Sequence, residues 1–141
     1  MAERRWAIAV GRFYEELAER LVEGAQQVFA EQGGTEADVY DVPGAFELPL
    51  AARYCADAGY QGVACLGAVI RGETDHYDFV CSSAASGILR VSLDTGVPCA
   101  FGVLTVENMD QALARTGGGK RHQGADAAHA VLQMAQLKRS L

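Results

Sequence analysis

GVACLGAVIRGETDH, residues 62–76, decides the fold. Residues 63–70 are apolar without alternation, the pattern of a strand covered on both faces. A glycine turn follows at Gly72, and a helix is expected to open near Thr74. Helix starts leave backbone N–H groups without partners and carry the positive end of the helix dipole, so the junction suits an anion such as phosphate. His76 stands in the first turn, and histidine exchanges protons near neutral pH. A phosphate pocket and an acid/base group are therefore expected within one turn of each other.

Outward from this stretch the same order of elements recurs. Residues 6–10 read as a buried strand ending at Gly11, and 13–31 as a helix with Leu17, Leu21, Ala25 and Val28 inward. Gly33-Gly34 closes that helix, because glycine takes the left-handed conformation without strain. Residues 38–42 form the second strand, Pro43-Gly44 turns the chain, and 45–58 form the second helix. After the decisive strand, 74–95 read as a long helix with Val80, Ala84, Ile88 and Val91 buried, stopped by Gly96-Val-Pro98. Residues 99–104 form the fourth strand, Thr105 caps a short helix over 107–115, and a glycine-rich loop (116–124) leads to a last helix over 125–138.

Alternation of this kind specifies an α/β fold: a three-layer sandwich with a four-stranded parallel sheet and helices on both faces, in flavodoxin-like topology. Such sheets bind ligands beyond the carboxyl ends of their strands. Four loops gather there, at 11–13, 43–47, 71–76 and 105–107. No repeat, low-complexity tract or linker divides residues 1–141, which are read as one domain.

Acidic residues outnumber basic ones, 18 to 12, for a formal charge of −6. That argues against a nucleic-acid surface, which needs clustered Lys and Arg. No apolar run reaches membrane-spanning length, and the first nine residues lack the pattern of a signal peptide. Cys55, Cys65, Cys81 and Cys99 are widely spaced and form no Cys-x-x-Cys pair, so all four are read as small buried hydrophobes in a reducing cytoplasm.

The motifs have competing readings. Gly67-x4-Gly72-Glu73-Thr74 has the glycine spacing of a nucleotide-binding P-loop but an acid where that loop needs lysine, which argues against a nucleotidase. Phosphate held by backbone N–H groups alone stays open, beside an ordinary turn capped by Thr74. His76 is either a capping residue or a general acid/base; His122, in the glycine-rich loop, and His129, in the last helix, have weaker cases. Glu47, at a helix start, either complements the dipole or accepts hydrogen bonds from a polyol. Phe13 and Phe101 are core residues or flat faces for a heteroaromatic ring. Arg115 complements a helix dipole or grips a phosphate, across a subunit boundary if need be.

Together these segments closely resemble the 6,7-dimethyl-8-ribityllumazine synthase family. The resemblance runs in order through GRF at Gly11, VPGAFELPLAA at Val42, LGAVIRGETDHYDFVC at Leu66, TGVPCAFGVLT at Thr95 and RTGGGKRHQG at Arg115. It implies condensation of 5-amino-6-ribitylaminouracil with 3,4-dihydroxy-2-butanone 4-phosphate, without cofactor or metal, in the penultimate step of riboflavin biosynthesis. By position, Phe13 would stack on the pyrimidine, with Ala45, Phe46 and Glu47 beside it and Glu47 on the ribityl hydroxyls. Ala68, Val69 and Ile70 would line the pyrimidine pocket, Glu73 and Thr74 would hold the phosphate, and His76 would transfer protons. Phe101 would reach the ring from a neighbouring subunit and Arg115 would bind the phosphate. The resemblance also implies at least a homopentamer, a sixty-subunit shell in many members, and association with riboflavin synthase. One departure is Gln123, where the family often has a lysine; either Lys120 or Arg121 supplies that charge or the chain lacks it. The rival readings are an archaeal-type riboflavin synthase and a non-catalytic flavin-binding or shell protein.

Overall fold

The computed structural model describes residues 5–73, 75–117 and 121–141. Strands β1 (Trp6–Gly11), β2 (Asp38–Val42), β3 (Gly62–Ile70) and β4 (Cys99–Val106) form a parallel sheet in the order β2-β1-β3-β4. Helices α1 (Glu15–Gln32) and α5 (Gln123–Ser140) cover one face, and α2 (Leu48–Asp57) and α3 (Tyr77–Thr95) cover the other. The short α4 (Met109–Ala114) follows β4. This is the three-layer parallel α/β sandwich expected from the alternation of elements.

The two faces are filled by alternate residues of the same strands, as the two-residue period requires. Ile8, Val10, Leu66 and Leu104 pack against Leu17, Leu21, Ala25 and Val131 of α1 and α5. Ala7, Ala9, Val63, Cys65 and Val103 pack against Leu48, Ala52, Ile88 and Val91 of α2 and α3. Burying each of the large side chains contributes ~1.5–3 kcal/mol. Trp6 closes the far end of the first layer: its Nε1–H donates to the Gly33 carbonyl at 2.8 Å, and its ring stacks on Phe29. Next to it Gly34, at φ +86°, makes the left-handed step that ends α1.

The chain passes from β1 outward to β2 and then returns to the opposite side of β1 for β3. Loops leaving β1 and β3 therefore diverge, and a crevice opens between their carboxyl ends.

Several boundaries differ from the expectation. α1 begins at Glu15 rather than Phe13. Residues 45–47 form a separate 3-10 turn, Ala45–Glu47, before α2 starts at Leu48 with a proline in its first turn, where the missing N–H costs nothing. α3 starts at Tyr77, because the chain leaves β3 through a turn in which Gly72 takes φ +86°. Thr105 is not a helix cap: it lies inside β4, and Asn108 caps α4 by accepting the Gln111 N–H at 2.9 Å. His122 belongs to no loose loop; its Nδ1 caps α5 at Ala125 N–H, 3.4 Å away, and its ring lies over Gly24 of α1. Cys55 and Cys65 are buried as expected, whereas Cys81 and Cys99 are only half-buried, and all four are free thiols. His129 is half-buried on α5. Thr74, Lys120 and the rest of residues 118–120 lie outside the described residues.

Candidate active site

The crevice between β1 and β3 holds a cavity of about 180 Å³. Phe13 and Tyr14 from the end of β1, Gly44 to Glu47 from the end of β2, Ala68, Val69 and Ile70 of β3, and Val80 of α3 line it. Local sequence explains the convergence. Gly11 and Gly44 lack side chains where the first two loops meet: a Cβ on Gly11 would lie 2.9 Å from the Gly44 carbonyl carbon. The Arg12 N–H donates to the Val42 carbonyl at 2.9 Å, extending the β1–β2 ladder into the loop. Phe13, thrown past this close approach, leaves 72% of its surface exposed, which is costly for a phenyl ring without a partner. Its ring meets Tyr14 edge-on at 4.9 Å.

Glu47 ends the 3-10 turn with its N–H on the Gly44 carbonyl at 3.2 Å. Its side chain makes no capping bond to α2, so the carboxylate is not spent on the helix start. The dipole reading of Glu47 thus has no direct hydrogen bond behind it. The cavity offers a flat aromatic face, an apolar floor of β3 and a carboxylate at its edge. These are the features that hold a planar heterocycle with a hydroxylated tail.

The turn after β3 flanks the cavity mouth. Arg71 N–H donates to the Val106 carbonyl at 2.8 Å. Its guanidinium lies 3.1 Å from Glu107, 3.6 Å from Asp78 and over the Tyr77 ring, tying this turn to the loop after β4. Glu73 N–H makes a long bond, 3.3 Å, to the Ile70 carbonyl, and its carboxylate accepts from Tyr14 Oη at 2.8 Å. Burial and that carboxylate push the Tyr14 phenol up to about 12. His76 is exposed at the N-cap of α3, where its carbonyl accepts from Val80 N–H at 2.9 Å and its side chain makes no capping bond.

The remaining expected residues stand elsewhere. Arg115, at the end of α4, lines a second cavity with Thr105, Arg121 and Gln123. Arg121 thus shares a cavity with Arg115 and pairs with Asp126 at 3.6 Å. Phe101 sits on the edge strand β4, opposite Cys65 and well before the strand's carboxyl end. Neither Phe101 nor Arg115 lines the cavity around Phe13. Among the described residues, no group of three His, Cys, Asp or Glu side chains is disposed to hold a metal ion. Nor is any helix of the described residues long and apolar enough to cross a membrane.

Tyr14 and Val80 are cavity residues that sequence reading missed. Tyr14 follows Phe13 directly, and Val80 was read only as part of the buried stripe. A signal for both was available, since the first turns of helices that follow strands face the same rim.

Residues 3–139 match the family model described as 6,7-dimethyl-8-ribityllumazine synthase. The chain belongs to that family. It is 48% identical over 136 residues to the 6,7-dimethyl-8-ribityllumazine synthase of Salinibacter ruber, covering 94% of this chain and 87% of that protein. Identity is again 48% over 140 residues with the Deinococcus deserti synthase, covering 97% and 90%. A chloroplastic synthase of Spinacia oleracea is 48% identical over 135 residues, 94% of this chain and 61% of its own length. Lumazine synthase family membership and the crevice around Phe13 arise independently, one from the whole chain and the other from local geometry.

Proposed function

We propose that the protein is a working lumazine synthase that joins 5-amino-6-ribitylaminouracil to 3,4-dihydroxy-2-butanone 4-phosphate, releasing phosphate and water in the penultimate step of riboflavin biosynthesis. The observation that carries this reading is the single cavity shared by Phe13, Ala45, Phe46, Glu47, Ala68, Val69 and Ile70. In it the pyrimidine stacks on Phe13 over the β3 backbone, and Glu47 accepts from the ribityl hydroxyls. The amine attacks the butanone carbonyl and water leaves as the imine forms; phosphate is then eliminated, and ring closure expels a second water. Holding two small molecules in one orientation supplies much of the rate. His76, three residues beyond Glu73, moves the protons that these steps require.

The same reading accounts for what the cavity lacks. Phe46, Leu50 and Tyr54, four residues apart along the chain, are exposed, as are Phe79, Leu89 and Leu93 of α3, and large apolar side chains left open in this number suit a surface that a partner covers. A homo-oligomer covers it, and a neighbouring copy brings Phe101 and Arg115 to the site, with Arg121 in place of the family's loop lysine. The pentamer, a sixty-subunit shell, riboflavin synthase association, the cytoplasmic location and the single domain over 1–141 belong to this proposal. No observation favours the archaeal-type riboflavin synthase or the non-catalytic reading.

The test is to incubate the protein with both substrates. Lumazine fluorescence appearing with an equal amount of phosphate is the expected result. Riboflavin formed from added lumazine, or no turnover, would overturn it.

A further inference from the structure

We propose that Tyr14 is a positioning residue for the phosphate-bearing substrate: through its hydrogen bond to Glu73 it fixes the turn after β3 at the cavity mouth. The inference rests on the proposed reaction but concerns a residue to which that reaction assigns no role.

Tyr14 occupies the N-cap of α1, with extended backbone and no side-chain capping bond. Short Asp, Asn, Ser or Thr side chains suit that place because they satisfy the free N–H groups behind them. A tyrosine forgoes this, and its hydroxyl instead reaches Glu73 Oε1 at 2.8 Å, across 59 residues of sequence. The ring is held independently, packed against the α1–α5 layer and edge-on to Phe13. The hydroxyl is thus delivered from a fixed platform.

The partner turn needs such a fixture. Gly72 takes φ +86°, and the Glu73 N–H makes a long bond, 3.3 Å, to the Ile70 carbonyl. Arg71 ties the turn on the α3 and β4 side through Glu107, Asp78 and Tyr77. Tyr14 ties it on the α1 side, so the two anchors oppose each other across the turn. An anion held by main-chain N–H groups depends on their placement, because nothing on the backbone can re-aim as a long side chain does. With its phenol pushed up to about 12, Tyr14 remains a neutral donor throughout the physiological range.

Steady-state kinetics on Tyr14→Phe, Glu73→Gln, Glu73→Ala and the Tyr14→Phe/Glu73→Ala double variant test this. Phenylalanine keeps the packing and removes the donor; glutamine keeps an acceptor oxygen and removes the charge. Loss of one such bond raises KM for the butanone phosphate roughly three- to tenfold in Tyr14→Phe, and in Glu73→Ala relative to Glu73→Gln. KM for the pyrimidine stays within about twofold, and the double variant is no worse than Tyr14→Phe, as expected for partners in one interaction. Equal rises in both KM values, an unchanged KM in Tyr14→Phe, or additive losses in the double variant would overturn the proposal. If the unsubstituted protein makes no lumazine, the reaction assigned above fails; calorimetry with inorganic phosphate on the same proteins then decides this inference, with the same ranking of affinities expected and equal affinities overturning it.

Discussion

Gly11 and Gly44 meet at the carboxyl end of the sheet so closely that a Cβ on Gly11 would stand 2.9 Å from the Gly44 carbonyl carbon and 3.2 Å from the Ala45 nitrogen. Both loops that carry the cavity-lining Phe13 and Glu47 pivot on this contact, with Phe13 two residues beyond one glycine and Glu47 three beyond the other. Gly11→Ala must push the loops apart, since the obstructing atoms are backbone. Turnover is expected to fall at least tenfold, because small misplacement of substrate-positioning groups is expensive. The loss in unfolding free energy should be smaller, about 1–3 kcal/mol. Parallel measurement of kcat/KM and the denaturant midpoint checks this; full activity in a folded variant would show that the contact does not set the site.

His76→Ala is expected to slow turnover roughly ten- to a hundredfold while leaving pyrimidine binding in place, the usual share of a proton-transfer group when positioning survives. Single-turnover kinetics beside equilibrium binding of the pyrimidine separates the two. Unchanged turnover would remove His76 from the chemistry.

The Tyr14 phenol gives a pH dependence with a definite sign. Its value is raised from 10.0 to about 12, first by burial and then by Glu73, so the folded state holds this proton more tightly than the unfolded chain. The stabilisation is complete below the unfolded value near 10 and is lost as the pH climbs through 12. The stability difference between the unsubstituted protein and Tyr14→Phe should therefore be flat through neutral pH and shrink in the alkaline window. A difference that grows over that window would contradict the assignment.

A fourth expectation concerns the fold alone. Gly124 of α5 lies against α1, and a Cβ there would stand 2.1 Å from the Leu21 carbonyl oxygen. Gly124→Ala forces the two helices apart and should cost at least about 1–3 kcal/mol. Thermal melts check it, and an unchanged midpoint would mean that α5 seats differently.

Legibility in the sequence followed the length of each signal. β2 was placed residue for residue, and the inward stripe of α1 was correct at Leu17, Leu21, Ala25 and Val28, because period and punctuation agree there. Helix starts were misplaced where local hydrogen bonding overrode pattern, as when Asn108 rather than Thr105 capped α4 and the Gly72 turn delayed α3 to Tyr77. That Phe13, residues 45–47 and residues 68–70 share one cavity was legible because strand ends of a parallel sheet share one rim. The partnership of Tyr14 with Glu73 was not, since no local rule joins residues 59 apart. Phe101 and Arg115 illustrate a different limit: a single chain carries them, yet places them away from the cavity that contains Phe13.

That separation makes the central claim testable in one measurement. If the cavity around Phe13 is completed by Arg115 of another copy, Phe13→Ala and Arg115→Ala proteins, each impaired alone, will regain lumazine formation when unfolded together and reassembled, because some sites then contain neither defect. Activity of the mixture no higher than the average of the two separate variants would contradict a site shared between copies.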